Sequence, residues 1–566
     1  MRHSYPYLCH TRLTSLCAVL YSTALLCSSH ASSLALTPEK KSPCPFPFSL
    51  VSRKWSYVPR GAFQGSSWNN YHGCLYTFTQ IGDDNVLNLE NTKGCLDDTF
   101  VRARATWHKN NNSIDITFEI DKGTYTTTTA TFAADCSLLD TADGGMYVGG
   151  HDGGRDHPMD FAPHEWLEAA TAWVVRAATV TPQQTKGLPR HITPGIPVAP
   201  GAPPAYQAIY MRDGYYGIKH AFDLVNASMR QDWLASFEYL LERPRADGVL
   251  PVSCHPDDSA RGPYCEYGAA LMCNDTVGHP GWSTCRTLDS GPFAVLLAAH
   301  VYDNFFASNE QQAVAWYEKW SFTLIEGLMQ TTRNPDGCGL VWSNTTQPNV
   351  GYGFQDTVRK SGDVLYSSIL FWQACVELSR IAESSGDVKT STWLRGLAEG
   401  MREAASARLW DSSVGAFRAS TKVESDHVDV WGNALAAHLH FATEEQETSI
   451  FALFQRRERD IFYEGQVREI LFPEQWSEAW PDWSVRSYQN GGYWATPHHH
   501  VLPFLARHDR AMACRLLNAT ISSFRGHGIW EWVGPFWPSV AHGAPGYVAS
   551  AANTRAASRE LACMTL

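Results

Sequence analysis

Twelve stretches of this chain carry apolar residues at helical spacing, and the links between them alternate long and short without a break. The stretches fall at about 163–179, 213–226, 228–243, 290–307, 309–330, 361–383, 387–409, 428–441, 443–457, 492–507, 509–524 and 545–562. The long links span about 180–212, 244–289, 331–360, 410–427, 458–491 and 525–544, while those near 227, 308, 385, 442 and 508 hold only a few residues. Each helix after a long link is expected to open on glycine, at Gly214, Gly291, Gly362, Gly432, Gly492 and Gly546, in steps of 77, 71, 70, 60 and 54 residues. A spaced unit of this kind marks a repeat architecture. Six helical hairpins in a ring make an (α/α)6 barrel, with short links at one end and every long loop at the other. The opening glycines would let backbone and ligand approach closely.

That arrangement locates function before any motif is considered. Binding groups sit on loops carried by a rigid scaffold, so the site belongs on the long-loop face. Composition narrows what it binds. A net charge of −12 argues against nucleic acid and against polyanionic substrates, which need a basic footprint. With 21 Trp and 23 Tyr against 45 Lys and Arg, the surface suits neutral, ring-shaped ligands.

The N-terminus reads as a secretory signal over 1–31: Arg2 and Arg12, an apolar run from Leu13 to Cys27, then small residues at Ser29 and Ala31. No later stretch is long and apolar enough to span a membrane, so no membrane partner is expected once the signal is removed. Asn111, Asn226, Asn274, Asn344 and Asn518 open glycosylation sequons. Twelve cysteines outside the signal, an even count in an exported chain, favour disulfides, and Cys254, Cys265, Cys273 and Cys285 are expected to staple one loop. Residues 44–150 read as a small β-rich domain. Ser113–Ile120 alternates strictly, Asp121-Lys122-Gly123 turns, and Thr-rich Tyr125–Phe132 returns as the second strand of a hairpin. The Gly-rich segment 151–162 is then a linker to a catalytic domain over 163–566.

The long loops gather carboxylates among aromatics. Loop one ends Tyr210-Met211-Arg212-Asp213-Gly214, loop two ends Leu288-Asp289-Ser290-Gly291, and loop three carries Asp356. Loop four holds Asp426, His427 and Asp429. Loop five carries Glu464, Glu469, Glu474, Glu478 and Tyr488-Gln489-Asn490-Gly491-Gly492-Tyr493-Trp494, and loop six Trp530-Glu531-Trp532. Aromatic faces stack on pyranose rings and carboxylates accept from sugar hydroxyls. Glycoside cleavage needs one carboxylic acid to protonate the leaving oxygen and a second carboxylate to activate water or attack carbon.

In these elements the sequence resembles the six-hairpin glycosidases over about residues 160–562, particularly the inverting members such as neutral invertases and α-glucosidase-like clans. The resemblance rests on Arg212-Asp213-Gly214, Leu288-Asp289-Ser290-Gly291, Gln355-Asp356-Thr357 leading to Ser361-Gly362, the Asn490-Gly491-Gly492 segment, and Gly546-Tyr547 with Ser550-Ala551-Ala552. It implies a mainly α protein, an (α/α)6 barrel behind the β-rich domain, hydrolysing a neutral oligosaccharide or glycoside with inversion. Asp213 is then the general acid. Glu464, Glu469, Glu474 and Glu478 are candidates for the base, with Glu474 first and Glu469 second. Arg212, Asp289, Asp356, Tyr488, Gln489, Asn490, Trp494, Trp530 and Glu531 are expected to bind substrate, and Glu531 is also eligible as the second carboxylate. The bland alternative for Asp213 is a helix cap, and Asp289 and Asp356 are either sugar-hydroxyl acceptors or caps.

No cofactor or metal is expected. His498-His499-His500 are consecutive, and neighbours on a helix point too far apart to share one ion. Serine hydrolysis lacks a Gly-x-Ser-x-Gly elbow. Two other classes stay open: an (α/α)6 epimerase or lyase working through His427 or Tyr488, and a carbohydrate-binding protein without turnover.

Overall fold

In the computed structural model the described residues are the strands between 54 and 150, then 163–180, 190–193, 208–258, 262–268, 287–343, 357–358, 360–422, 426–477, 487–535 and 541–563. Asp356, Glu478, the 151–162 segment, the signal, the sequons at Asn111, Asn274 and Asn344, and Cys273 and Cys285 lie outside them.

Between Lys54 and Gly150 eight strands pair antiparallel in chain order, and the first pairs with the last to close a barrel. Ser113–Asp121 and Thr124–Phe132 are neighbours in it.

The helical part holds α1 (Pro163–Ala178), α2 (Met211–Ala221), α3 (Ala227–Leu241), α4 (Ser290–Val301), α5 (Glu310–Met329), α6 (Leu365–Ser384), α7 (Val388–Arg408), α8 (Val430–His438), α9 (Glu444–Arg456), the short α10 (Glu458–Ile461), α11 (His498–His508), α12 (Arg510–His527) and α13 (Val548–Leu561). Helices α2, α4, α6, α8, α11 and α13 pack successively, and α13 returns to α2, closing an inner ring of six. Outside it, α3, α5, α7, α9 and α12 each pack on the inner helix before them in the chain, and α1 packs on α13. This is the (α/α)6 barrel. Its last hairpin is built from the two ends of the helical sequence.

The two rings differ as their sequences require. Every residue of α4 except His300 is buried, as an inner helix with neighbours on all sides must be. Outer helix α7 instead buries Ser391, Leu394, Ala398, Met401 and Ala405, a stripe at steps of three and four. Close packing also explains Gly291. A Cβ there would lie 2.4 Å from the Gly327 carbonyl oxygen of α5, so helix contact, and not ligand approach, demands this glycine. At Gly214 a Cβ would meet nothing within 4 Å, so space is open beside Asp213.

Helix ends divide the same way. The outer helices α3, α5, α7, α9 and α12 are capped by Asn226, Asn309, Asp387, Thr443 and Asp509, whose side chains accept from the first-turn amides. The inner helices α2, α4, α6, α11 and α13 have no side-chain cap, and only α8 has one, from Asp429. Asp213 is the third residue of α2 and not its cap, and Asp289 occupies the cap position of α4 without capping it.

Three expected helix starts move inward. Gly362–Asp363, Tyr493–Trp494 and Ala541–Pro545 are strands, so the helices begin at Leu365, His498 and Val548. The rim exchanges helix for sheet: Phe462–Tyr463, Gln466–Arg468, Tyr493–Trp494, Trp530–Val533 and Ala541–Pro545 form one five-stranded sheet from loops five and six. Ile209–Tyr210 joins Ser253–Asp258 and Gly262–Glu266 in a second sheet. There Cys254–Cys265 cross-links facing strands, while Cys514–Cys563 ties α12 to the end of α13. Cys338 and Cys375 are free thiols, so the expectation of pairing fails for these two. No helix among the described residues is long and apolar enough to cross a membrane.

Candidate active site

The uncapped starts of the inner helices and the five-stranded sheet share the long-loop face, and the buried acids lie there. Asp213 is 7% exposed, and its Oδ1 accepts a 3.0 Å hydrogen bond from the Tyr547 phenol. Beside it the Arg212 Nε lies 3.7 Å from Oδ2 of fully buried Asp289. The first turns of α2 and α4 are thereby joined, and Tyr547 brings in the start of α13.

Glu531 is also buried. Its Oε1 accepts from the Tyr488 phenol at 3.0 Å and its Oε2 from the Ala544 amide at 3.0 Å. A strand holds it between Trp530 and Trp532, all three turned away from solvent. Aromatic contacts run from Tyr488 to Trp494 at 5.1 Å and from Trp494 to Tyr547 at 6.4 Å. Glu531 and Asp213 are therefore linked through three rings.

Glu469 and Glu474 are treated differently. Glu469 is 1% exposed and its backbone carbonyl accepts from Val430 at the start of α8. On the barrel interior, Tyr216 of α2 and Tyr366 of α6 share a hydrogen bond. Burial, then the charges of Asp429 and Glu469, push the Tyr366 phenol upward. Tyr216 is raised by burial first, then by Tyr366 and Tyr215, with a smaller contribution from Asp213. This tyrosine pair thus lies within the fields of Asp213 on one side and of Asp429 and Glu469 on the other. Glu474 is 41% exposed and lies 3.3 Å from His427 Nδ1, whose hydrogen bond and charge hold its carboxyl below the usual range against the opposing effect of burial.

The Tyr-Gln-Asn segment is mostly bracing. Gln489 Oε1 accepts from the Thr357 amide at 2.8 Å and hydroxyl at 2.9 Å, pinning the residue after Asp356. Asn490 accepts from the Trp476 amide at 2.6 Å. The Trp494 indole donates to the Tyr488 carbonyl at 3.2 Å. Both Gln489 and Asn490 are buried among protein partners, and their amides hold loops three and five in place.

Three participants have no distinctive sequence signal. Tyr547 stands out in sequence only for its place beside Gly546, not as the donor to Asp213. Lys360 is fully buried, 3.7 Å from Asp429 Oδ2 and 4.7 Å from the Trp476 ring centre. Arg468, also fully buried, donates to the Glu474 carbonyl at 2.8 Å. A buried cation looks like any surface lysine or arginine until its partners are known.

No family model matches this chain, and no curated protein matches it. Solved structures do. A bacterial glucoamylase complexed with acarbose has a TM-score of 0.50 at 10% identity, covering 90% of this chain and 86% of that one. A rhamnosidase from Klebsiella oxytoca with rhamnose bound gives 0.48 at 10% identity, covering 89% and 81%. The GH63 mannosylglycerate hydrolase from Thermus thermophilus, in complex with Tris and D-glycerate, gives 0.47 at 12% identity, covering 69% and 99%. At such identity the likeness is one of fold: the helical part has the (α/α)6 architecture that the six-hairpin resemblance implied.

Proposed function

We propose that this chain is an exported glycoside hydrolase acting on a neutral glycosidic bond by inversion, with Asp213 as general acid and Glu531 as general base. One observation carries the reading. Two buried carboxylates from the first and last long loops stand on one rim, joined through Tyr488, Trp494 and Tyr547. Asp213 gives its proton to the leaving oxygen as the carbon–oxygen bond breaks. Glu531 takes a proton from the water that attacks the anomeric carbon from the opposite face. Arg212, Asp289, Asp356, Trp494 and Trp530 hold the sugar. Glu531 is preferred to Glu474 because a base has to be fixed in position, and Glu474 is half-exposed beside His427. Glu469 is the second candidate. The acarbose held by the similar glucoamylase supports a carbohydrate substrate. The two disulfides support export after removal of 1–31, and exposed Asn226 and Asn518 are open to glycosylation. In this reading 44–150 is a separate β-domain joined through 151–162 to the catalytic barrel.

A panel of aryl glycosides with good and poor leaving groups tests the roles. Loss of the acid is partly forgiven when the leaving group departs without a proton, whereas loss of the base is not. Glu531→Gln is expected to lose at least about a hundredfold on both kinds, and Asp213→Asn mainly on the poor ones. The leaving-group pattern appearing in Asp356→Asn instead would transfer the acid role to Asp356. Full activity in Glu531→Gln with loss in Glu469→Gln would transfer the base role. Oligosaccharide binding without turnover by the wild-type chain would remove the enzyme reading altogether.

A further inference from the structure

Inside the ring lies a second concentration of chemistry that the hydrolytic reading does not use. Helix α2 contributes Lys219 and His220, α4 His300, α8 His438, and α11 His499 and His500. The rings touch: His499 to His500 at 4.5 Å, His220 to His499 at 5.2 Å, and Tyr216 to His499 at 5.0 Å. His500 Nδ1 and His499 Nε2 are 3.1 Å apart, and one proton satisfies both. Lys219 acts electrostatically on all five histidines. Its ammonium donates to the Tyr215 phenol at 2.8 Å, and among the described residues it has no carboxylate partner. Nε2 of His220 and Nδ1 of His438 are shielded from solvent and have no hydrogen-bond partner among the described residues.

Buried polar groups in native proteins are as a rule hydrogen-bonded, and each exception calls for an explanation. A metal ion does not supply one. Among the described residues no group of three ligating side chains is arranged to hold an ion, and the Lys219 ammonium repels a cation. The other charged groups around the cluster do not neutralise it. Asp303 acts on His300, while Glu447 acts on His438 but is itself engaged by Arg507 and His508. Arg555 of α13 adds positive charge toward His220, as Arg507 and His440 do toward His438. His498, the remaining histidine of this run, is occupied by Thr554 and the Gly465 carbonyl.

We propose that the histidine-lined interior of the barrel binds a small monovalent anion, held by the Lys219 ammonium and by imidazole N–H groups of His220 and His438. The ligand chemistry is one negative charge in a small volume, a halide or a formate-sized carboxylate. Burial and mutual repulsion keep the imidazoles neutral on their own. An anion in their midst offsets that repulsion, so binding and proton uptake are coupled, and affinity rises as pH falls. Lys219 is only partly buried. The proposal does not depend on the hydrolytic assignment.

The test is thermal unfolding of the intact protein at pH 5 and pH 7, with sodium chloride replacing sodium isethionate at constant ionic strength. A ligand that binds the native state alone raises Tm in proportion to the logarithm of its concentration above Kd. The expected result is a chloride-dependent rise with at least fivefold tighter apparent affinity at pH 5, lost or weakened at least tenfold in Lys219→Met and in His220→Gln. A parallel titration with sodium formate separates a halide site from a carboxylate site. Bromide-soaked crystals should show an anomalous peak within reach of Lys219 Nζ. No chloride effect, an equal effect in both folded variants, or a peak only on the surface would overturn the proposal. Should one variant fail to fold, the other and the bromide position still decide.

Discussion

Tyr547 donates its phenol to Oδ1 of Asp213 at 3.0 Å across 334 residues of sequence, so the start of the last inner helix fixes an acid on the first. Both groups are buried, and the bond crosses the seam where the ring closes. Tyr547→Phe keeps the ring that packs near Trp494 and removes only the donor. A hydrogen bond between neutral groups contributes about 0.5–1.5 kcal/mol. The expected outcome is a stability loss of about that size in urea unfolding, with kcat on poor-leaving-group glycosides falling about tenfold or more. Unchanged kcat with the full stability loss would make this contact structural alone.

Gly543 sits at φ +78°, and a Cβ there would come 2.4 Å from Glu531 Oε2. Alanine at this position therefore pushes on the carboxylate as well as straining the backbone, by about 1–2 kcal/mol for the left-handed conformation. Gly543→Ala is expected to lower kcat at least tenfold while a substrate analogue still binds. Gly337→Ala serves as the control, since it has similar strain at φ +84° and no atom within 4 Å of its Cβ. Its activity should be unchanged.

The ring was legible because its cause is periodic: apolar spacing marks each helix, and only closure buries inner helices on every side. The rim was less so. Tyr493–Trp494 reads as helix because its strand partners, Gln466–Arg468 and Val533, are distant in sequence. Asp213 and Glu531 are singled out in sequence by the residues around them, whereas nothing in the sequence reveals that Glu469 is buried and Glu474 half-exposed. Their difference in exposure comes from where the chain turns after Arg468. The partners of Lys360 and Tyr547 are likewise set by ring closure, which no local pattern encodes.

Cys514–Cys563 closes a loop across 49 residues and holds α13 against α12. Because α13 also supplies Tyr547, the bridge supports both stability and the Asp213 contact. Replacing both cysteines by alanine is expected to cost about 2–4 kcal/mol. Denaturant unfolding with and without reductant checks it: the wild-type midpoint should fall further on reduction than that of the variant, which keeps only Cys254–Cys265 to respond.

His498 is buried, with Nε2 3.1 Å from the Gly465 carbonyl and Nδ1 3.0 Å from the Thr554 hydroxyl, and burial pushes its imidazole down to about 4. Native and unfolded chains both hold it neutral well above about pH 6.5. Below that, the unfolded chain takes up a proton that the native chain refuses until about pH 4. The stabilisation is thus complete above pH 6.5 and is lost as pH falls through the window from 6.5 to 4, at about 1.4 kcal/mol per pH unit. His300 and His438, both also pushed down to about 4, act in the same window, less strongly because they are partly exposed. His498→Gln retains a donor and an acceptor but cannot titrate. Between pH 6.5 and 4, in chloride-free buffer, its unfolding free energy should fall less steeply than wild type by about one proton's worth. Parallel slopes for the two proteins would mean that His498 is already protonated in the native state.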